Sequence, residues 1–167
     1  MKRSFFLLSA ALLLGYTAPA QTKSAASSQA ALARQLNQLM RDPAKPKQDV
    51  LIVLDGCHVQ QIIRDRDADV NLDNPLAVSF ASGKSGWAVS TSNGFFELKM
   101  DFEWADVTAV SYARSDDKNP KALYEIQIKR QKKNSTNSSE LQLYTTDEAV
   151  VKNLVGRLNK LRQSCSQ

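Results

Sequence analysis

Five oxygen-bearing side chains alternate along one polar stretch: Asp65, Asp67, Asp69, Asn71 and Asp73. A hard cation such as calcium is held by several oxygens, and alternate positions of a tight loop can turn carboxylates onto one ion. The EF-hand loop that does this carries Gly at its sixth place and Glu at its twelfth, where this stretch has Val70 and Leu76. The stretch is a candidate calcium site that departs from the template, and a solvated acidic loop is the plainer reading. Lys129, Arg130, Lys132 and Lys133 form a second group, entering a polar loop. Such a cluster could meet anionic headgroups or polysaccharide, although charge runs are usually solvated. His58 is the single histidine, so any Ser-His-Asp or Cys-His catalysis would have to use it. Its neighbour Cys57 would point to the opposite face of an extended strand, so the two cannot pair directly there. No glycine-rich phosphate loop, nucleophile elbow or zinc signature occurs.

The N-terminus indicates a compartment. Lys2 and Arg3 precede an apolar run from Phe5 to Leu14, and Ala18-Pro19-Ala20 then offers a small-x-small cleavage site. That is the layout of a secretory signal over residues 1–20. The run is too short to span a bilayer, and no later segment could. Removing Lys2 and Arg3 lowers the net charge from +5 to +3. So mild a balance does not call for nucleic acid as a partner. Cys57 and Cys165 are the only cysteines, and an even count in an exported chain predicts a disulfide between them.

The elements that would position these groups follow from periodicity. Gln29 to Arg41 has Leu32, Leu36, Leu39 and Met40 on one helical face, after a lead-in rich in Ala and Ser and before a linker holding Pro43 and Pro46. Val50 to Leu54 is an apolar run. Asp55-Gly56 is a hairpin turn signal, but Asp49 to Ile63 also fits one strand bent at a glycine bulge. Counted once, it brings the total to seven strands. Alternation marks Leu76 to Phe80, Trp87 to Thr91, Phe96 to Trp104, Val107 to Ala113, Tyr124 to Ile128 and Glu140 to Thr145. Trp87, Phe95, Phe96, Phe102 and Trp104 are expected in the core, except that Phe95 and Phe96 are out of phase, so one ring of that pair should face outward. Thr145 and Glu148 have capping-box spacing, and Val150, Val151, Leu154, Val155, Leu158 and Leu161 make one apolar stripe of a closing helix.

Antiparallel strands closed by one C-terminal amphipathic helix resemble the pleckstrin-homology-like superfold over about Asp49 to Gln163. The local marks are Phe102-Glu103-Trp104-Ala105-Asp106-Val107 and the Leu141-Gln142-Leu143 strand running through Thr145 into the helix. The layout is also similar to small exported proteins of Bacteroidetes that pair a Gly-Cys strand with a Cys beyond the last helix, as Gly56-Cys57 and Cys165 do here. The resemblance implies an α+β domain, a bent antiparallel sheet or partial barrel of about seven strands over residues 49–167, behind a lead-in over 21–48. In one group of that superfold the loop between the first strands binds phosphoinositides through basic residues, whereas Arg64 to Asn74 is acidic here. The expected function is a non-catalytic exported binding or scaffold module for a protein or cell-envelope component. A calcium-dependent module using Asp65 to Asp73 is the alternative, and a hydrolase ranks below both. No other cofactor is expected.

Overall fold

The computed structural model describes residues 20–115, 123–132 and 135–166, of which residues 20–25 by backbone alone. Helix α1 (Ala20–Leu39) is followed by strands β1 (Gln48–Asp55), β2 (His58–Asp65), β3 (Leu76–Ser82), β4 (Ser85–Ser92) and β5 (Phe95–Glu103). A 3-10 turn at Trp104–Asp106 leads to β6 (Val107–Arg114), β7 (Tyr124–Lys132), β8 (Ser135–Leu143) and helix α2 (Glu148–Cys165). All pairings are antiparallel. One sheet has the order β1-β2-β5-β4-β3 and the other β6-β7-β8. The class is α+β, and the sheets do not close into a barrel. The signal-like residues 1–19 lie outside the described residues.

Among the described residues the strands number eight, because Asp49 to Ile63 is a hairpin and not one bent strand. Asp55 pairs with His58 across a turn of Gly56 and Cys57. Gly56 sits at φ +58°, a left-handed conformation that glycine adopts without steric cost. Folding back gives the apolar run of β1 a ladder of its own and satisfies its backbone groups on β2.

Helix α1 starts nine residues before the expected Gln29, at Ala20. The alanine-rich lead-in is good helix material, and α1 carries it onto the domain. Leu32, Leu36 and Met40 are buried in the shared core, so α1 belongs to the domain and is not a separate lead-in. Its polar face has a second task. Asn37 Nδ2 donates to the Ile52 carbonyl at 3.0 Å, and its Oδ1 accepts from the Ile52 amide at 2.7 Å. Gln29 grips the amide and carbonyl of Gly56 in the same manner, both at 3.2 Å. Two side-chain amides thus seal the outer edge of β1, which would otherwise expose unpaired backbone.

Helix α2 lies on β6, β7 and the 3-10 turn. Val151, Leu154, Leu158 and Leu161 are buried, while Val150 is only partly so. The helix covers the three-stranded sheet; it is not a plug in a barrel mouth. Its N-cap is Asp147, not Thr145: the Asp147 carboxylate accepts from the amides of Ala149 at 2.9 Å and Val150 at 3.2 Å. Thr145 Oγ1 accepts from the Asp147 amide one step earlier. Aspartate at the cap also opposes the positive end of the helix dipole.

Cys57 and Cys165 are bonded, with their Cα atoms 5.6 Å apart. The bond joins the β1–β2 turn to the last residue of α2 and encloses a separation of 108 residues. For so long a loop, the chain-entropy relation gives a stabilisation of about 4–5 kcal/mol. Cys57→Ser with Cys165→Ser is expected to lower the unfolding free energy by an amount of that order, read from urea titrations against the oxidised protein. Leu154 has no exposed surface. Leu154→Ala should cost about 2–5 kcal/mol in the same titration, and a loss below about 0.5 kcal/mol would show that α2 docks elsewhere.

Candidate functional site

Strand alternation divides the five-stranded sheet into two chemically different faces. Register aligns Phe80 with Trp87, Trp87 with Met100, and Met100 with Gln61. The same row-by-row alignment joins Val78, Val89, Leu98 and Ile63. This apolar face begins in the core, where Val59 and Phe102 are buried. Toward β4 and β3 no described element covers it. Leu76, Val78, Phe80 and Trp87 are all exposed, Phe80 by 57% and Trp87 by 41%. The expected core position of Trp87 is therefore corrected. Alternation identified the face it points to, but the covering three-stranded sheet and α2 do not extend that far.

The open region continues as a cleft of about 590 Å³ between the β3–β4 hairpin and the β7–β8 hairpin. Phe80 and Trp87 line one side, and Lys132, Ser135 and Asn137 the other. Lys132 Nζ donates to the Ser82 carbonyl at 3.1 Å, bridging the two hairpins. Gly86 shapes the hairpin: a Cβ there would lie 2.4 Å from the Phe80 carbonyl oxygen, so only glycine fits without a backbone shift. Scattered exposed apolar residues are ordinary, whereas a contiguous patch with a polar rim marks an interaction surface.

The opposite face is charged. His58 Nδ1 lies 3.0 Å from Glu103 Oε1, and its Nε2 lies 3.3 Å from Asp101 Oδ1. Gln60 Nε2 donates to the same Asp101 oxygen at 3.0 Å. With a carboxylate at each ring nitrogen, His58 presents neither to a nucleophile. The arrangement is a cross-strand cluster of one imidazole and two carboxylates. Farther along, Glu97 accepts from Arg64 Nε at 2.8 Å and pairs with Lys99 at 2.9 Å. Hydrogen bonds from Lys99 and then Arg64 hold its carboxyl below its ordinary value of 4.5.

The calcium candidates do not converge. Asp65 Oδ1 accepts from the Asp67 amide at 2.9 Å and Asp67 pairs with Lys47 at 2.8 Å. The loop backbone is drawn to the β4–β5 turn, where Asn93 Oδ1 accepts from the Leu72 amide and Gly94 bonds with Ala68 and Val70. Among the described residues, no three histidine, cysteine or acidic side chains are grouped as a metal would need.

The basic cluster is also divided. Lys129 and Arg130 are neighbours on β7 and so point to opposite faces. The Arg130 guanidinium stacks 4.3 Å above the Phe102 ring and donates to Ser139 Oγ at 3.1 Å. Burial lowers its pKa, with the charge of Asp106 opposing the shift. Arg130 is thus a core-side cation, Lys132 belongs to the cleft, and Lys133 lies outside the described residues. The residues missed in the sequence are Leu76, Val78, Phe80 and Trp87. Their one signal was the uncharged run Leu76 to Ser82.

No known protein family, no curated protein and no solved structure matches this chain.

Because the Glu97 carboxyl is held low, its ion pairs contribute stability above pH 4.5, and the contribution is lost as the pH falls through the lowered value in the folded protein. Glu97→Gln should therefore be destabilised at pH 7 by no more than about 1 kcal/mol. The gap to the parent should narrow on acidification below pH 4.5. Urea midpoints collected between pH 7 and 3 check this, and a gap that widens in acid would refute it.

Proposed function

We propose that this protein is an exported, non-catalytic binding or scaffold module. Its contact surface is the uncovered apolar face of β3 and β4, with the cleft beside it. The observation that carries this reading is the exposure of Phe80 and Trp87, paired across the two strands, on a face that is core at Val59 and Phe102. Leaving two large aromatic rings in water forgoes several kcal/mol of burial, a cost of about 25 cal/mol per Å² that a partner would recover. Aromatic anchors beside a polar rim of Lys132, Ser135 and Asn137 are the composition of a recognition site. A protein or an envelope component suits so open a cleft better than a small solute, which is usually enclosed on most sides.

Export is supported by the leader-like residues 1–20 and by the Cys57–Cys165 bond, since disulfides persist in oxidising compartments. No described helix is long and apolar enough to cross a membrane. We read the paired antiparallel sheets with their C-terminal helix as a variant of the pleckstrin-homology-like superfold. In that variant β3 and β4 are an added hairpin and α1 an added cover. The non-catalytic reading is favoured by His58, whose two nitrogens are already taken up by Glu103 and Asp101.

The test is capture of partners from the native cell-envelope fraction by the immobilised protein, followed by mass spectrometry. Phe80→Ala with Trp87→Ala is expected to lose at least about tenfold in the captured component. Its unfolding free energy should change by less than about 1 kcal/mol, because both rings are exposed in the free protein. Equal capture by parent and variant would overturn the assignment of this face. In binding titrations Trp87 provides the readout, since Trp104 is buried and should not respond.

A further inference from the structure

The molecule treats its sheet edges unequally. The edge of β1 is sealed by Asn37 and Gln29 from α1. The edge of β6 is partly sealed by α2, where Asn159 donates to the Val110 carbonyl at 3.2 Å and Arg162 donates to that of Thr108. Strand β8 carries Glu140. On strand β3 the one such contact among the described residues is that of Lys132 with the last carbonyl, Ser82. The strand ends the five-stranded sheet, all seven of its residues are exposed, and Leu-Ala-Val-Ser-Phe-Ala-Ser contains no charge and no proline. Its register with β4 is unbroken, so no bulge turns the edge away. Natural sheets usually guard an exposed edge by at least one of these means.

The free backbone groups can be assigned. Ser82 pairs with Ser85 across the two-residue turn of Gly83 and Lys84, and such a turn is closed by a hydrogen-bonded pair. By alternation Ser82, Phe80, Val78 and Leu76 bond to β4. The amides and carbonyls of Ala77, Ser79 and Ala81 therefore face outward, and none has a partner among the described residues.

We propose that a second copy of this chain pairs on this edge, β3 against β3, antiparallel and with a two-fold axis at Ser79. That register sets Ser79 opposite Ser79 and Ala77 opposite Ala81, so all the outward amides and carbonyls bond in matched pairs. On the apolar face it sets Val78 opposite Phe80 of the second copy, an aromatic and β-branched pair that favours sheets. The charges at the strand ends select this occupant and orientation. Asp73 precedes β3 and Lys84 follows it. Antiparallel self-pairing brings Lys84 of each copy level with Asn74 of the other, beside Asp73. A parallel arrangement would set like charges together. The interface is self-complementary, as a two-fold dimer requires. It does not depend on which component fills the cleft, because the purified chain alone is sufficient.

The axis at Ser79 makes a sharp test. Sedimentation velocity of the oxidised protein across micromolar to sub-millimolar concentrations should show a dimer that dissociates on dilution. Ser79→Lys and Ser79→Glu, each confirmed as folded by circular dichroism, place like charges opposite one another and should each sediment as monomers. Mixed in equal amounts, they should recover the dimer mass, because Lys then faces Glu. Ser79→Pro removes the central outward amide while leaving the β4 bonds, and should also be monomeric. A parent that stays monomeric throughout would overturn the proposal. So would a Ser79→Lys protein that remains dimeric, or a mixture that stays monomeric.

Discussion

The two sheets meet at one corner, and the rest of the architecture depends on how that corner is held. Strand β5 leaves the first sheet at Glu103, turns through Trp104–Asp106 and enters the second sheet as β6. Trp104 is buried there, in edge-to-face contact with Phe102 at 6.0 Å. Its backbone amide donates to the Cys57 carbonyl at 2.8 Å, and Cys57 is bonded through sulfur to the end of α2. One knot thus fixes the first hairpin, the junction of the sheets and the closing helix. Aromatic packing supplies the area, the hydrogen bond the direction, and the covalent link removes chain entropy from the unfolded state.

From that corner the covering elements reach only part of the first sheet. Helix α1 rests on β1, and the second sheet with α2 shields the apolar face near Val59 and Phe102. Strands β4 and β3 extend past this shelter. The outcome is a gradient along one continuous face, from fully buried at Val59 to half exposed at Phe80. The same extension leaves β3 as the edge without a cap. An apolar face and an open backbone edge therefore coincide on one hairpin.

The charged face of the sheet is laced by cross-strand pairs. Cross-strand pairs such as Arg64 with Glu97 and His58 with Glu103 are spaced by the ladder and satisfy one another.

Much of this was legible from local pattern. Two-residue alternation located the strands from Leu76 onward except the first half of β8, because Ser135 to Ser139 has no apolar alternation and reads as a polar loop. The 3.6-residue spacing picked out Leu154, Leu158 and Leu161 as buried, and the paired Cys57 and Cys165 foretold their bond. These properties reside in neighbouring residues or in composition, so one chain suffices to read them. What tertiary structure alone decided was which side of a pattern meets another element. Asp55-Gly56 allowed a hairpin or a bulge, and pairing with β2 chose the hairpin. Thr145 and Asp147 both suit a helix cap, and the entry angle of the chain chose Asp147. The acidic ladder from Asp65 to Asp73 allowed an ion site or a solvated loop, and the structure ties its backbone to the Asn93-Gly94 turn, with no group of three acidic side chains among the described residues. Trp87 and Trp104 carry the same alternating signature; one is core and the other surface. Alternation fixes the face a side chain points to, but burial depends on how far the covering sheet extends, and that is set by contacts distant in the chain.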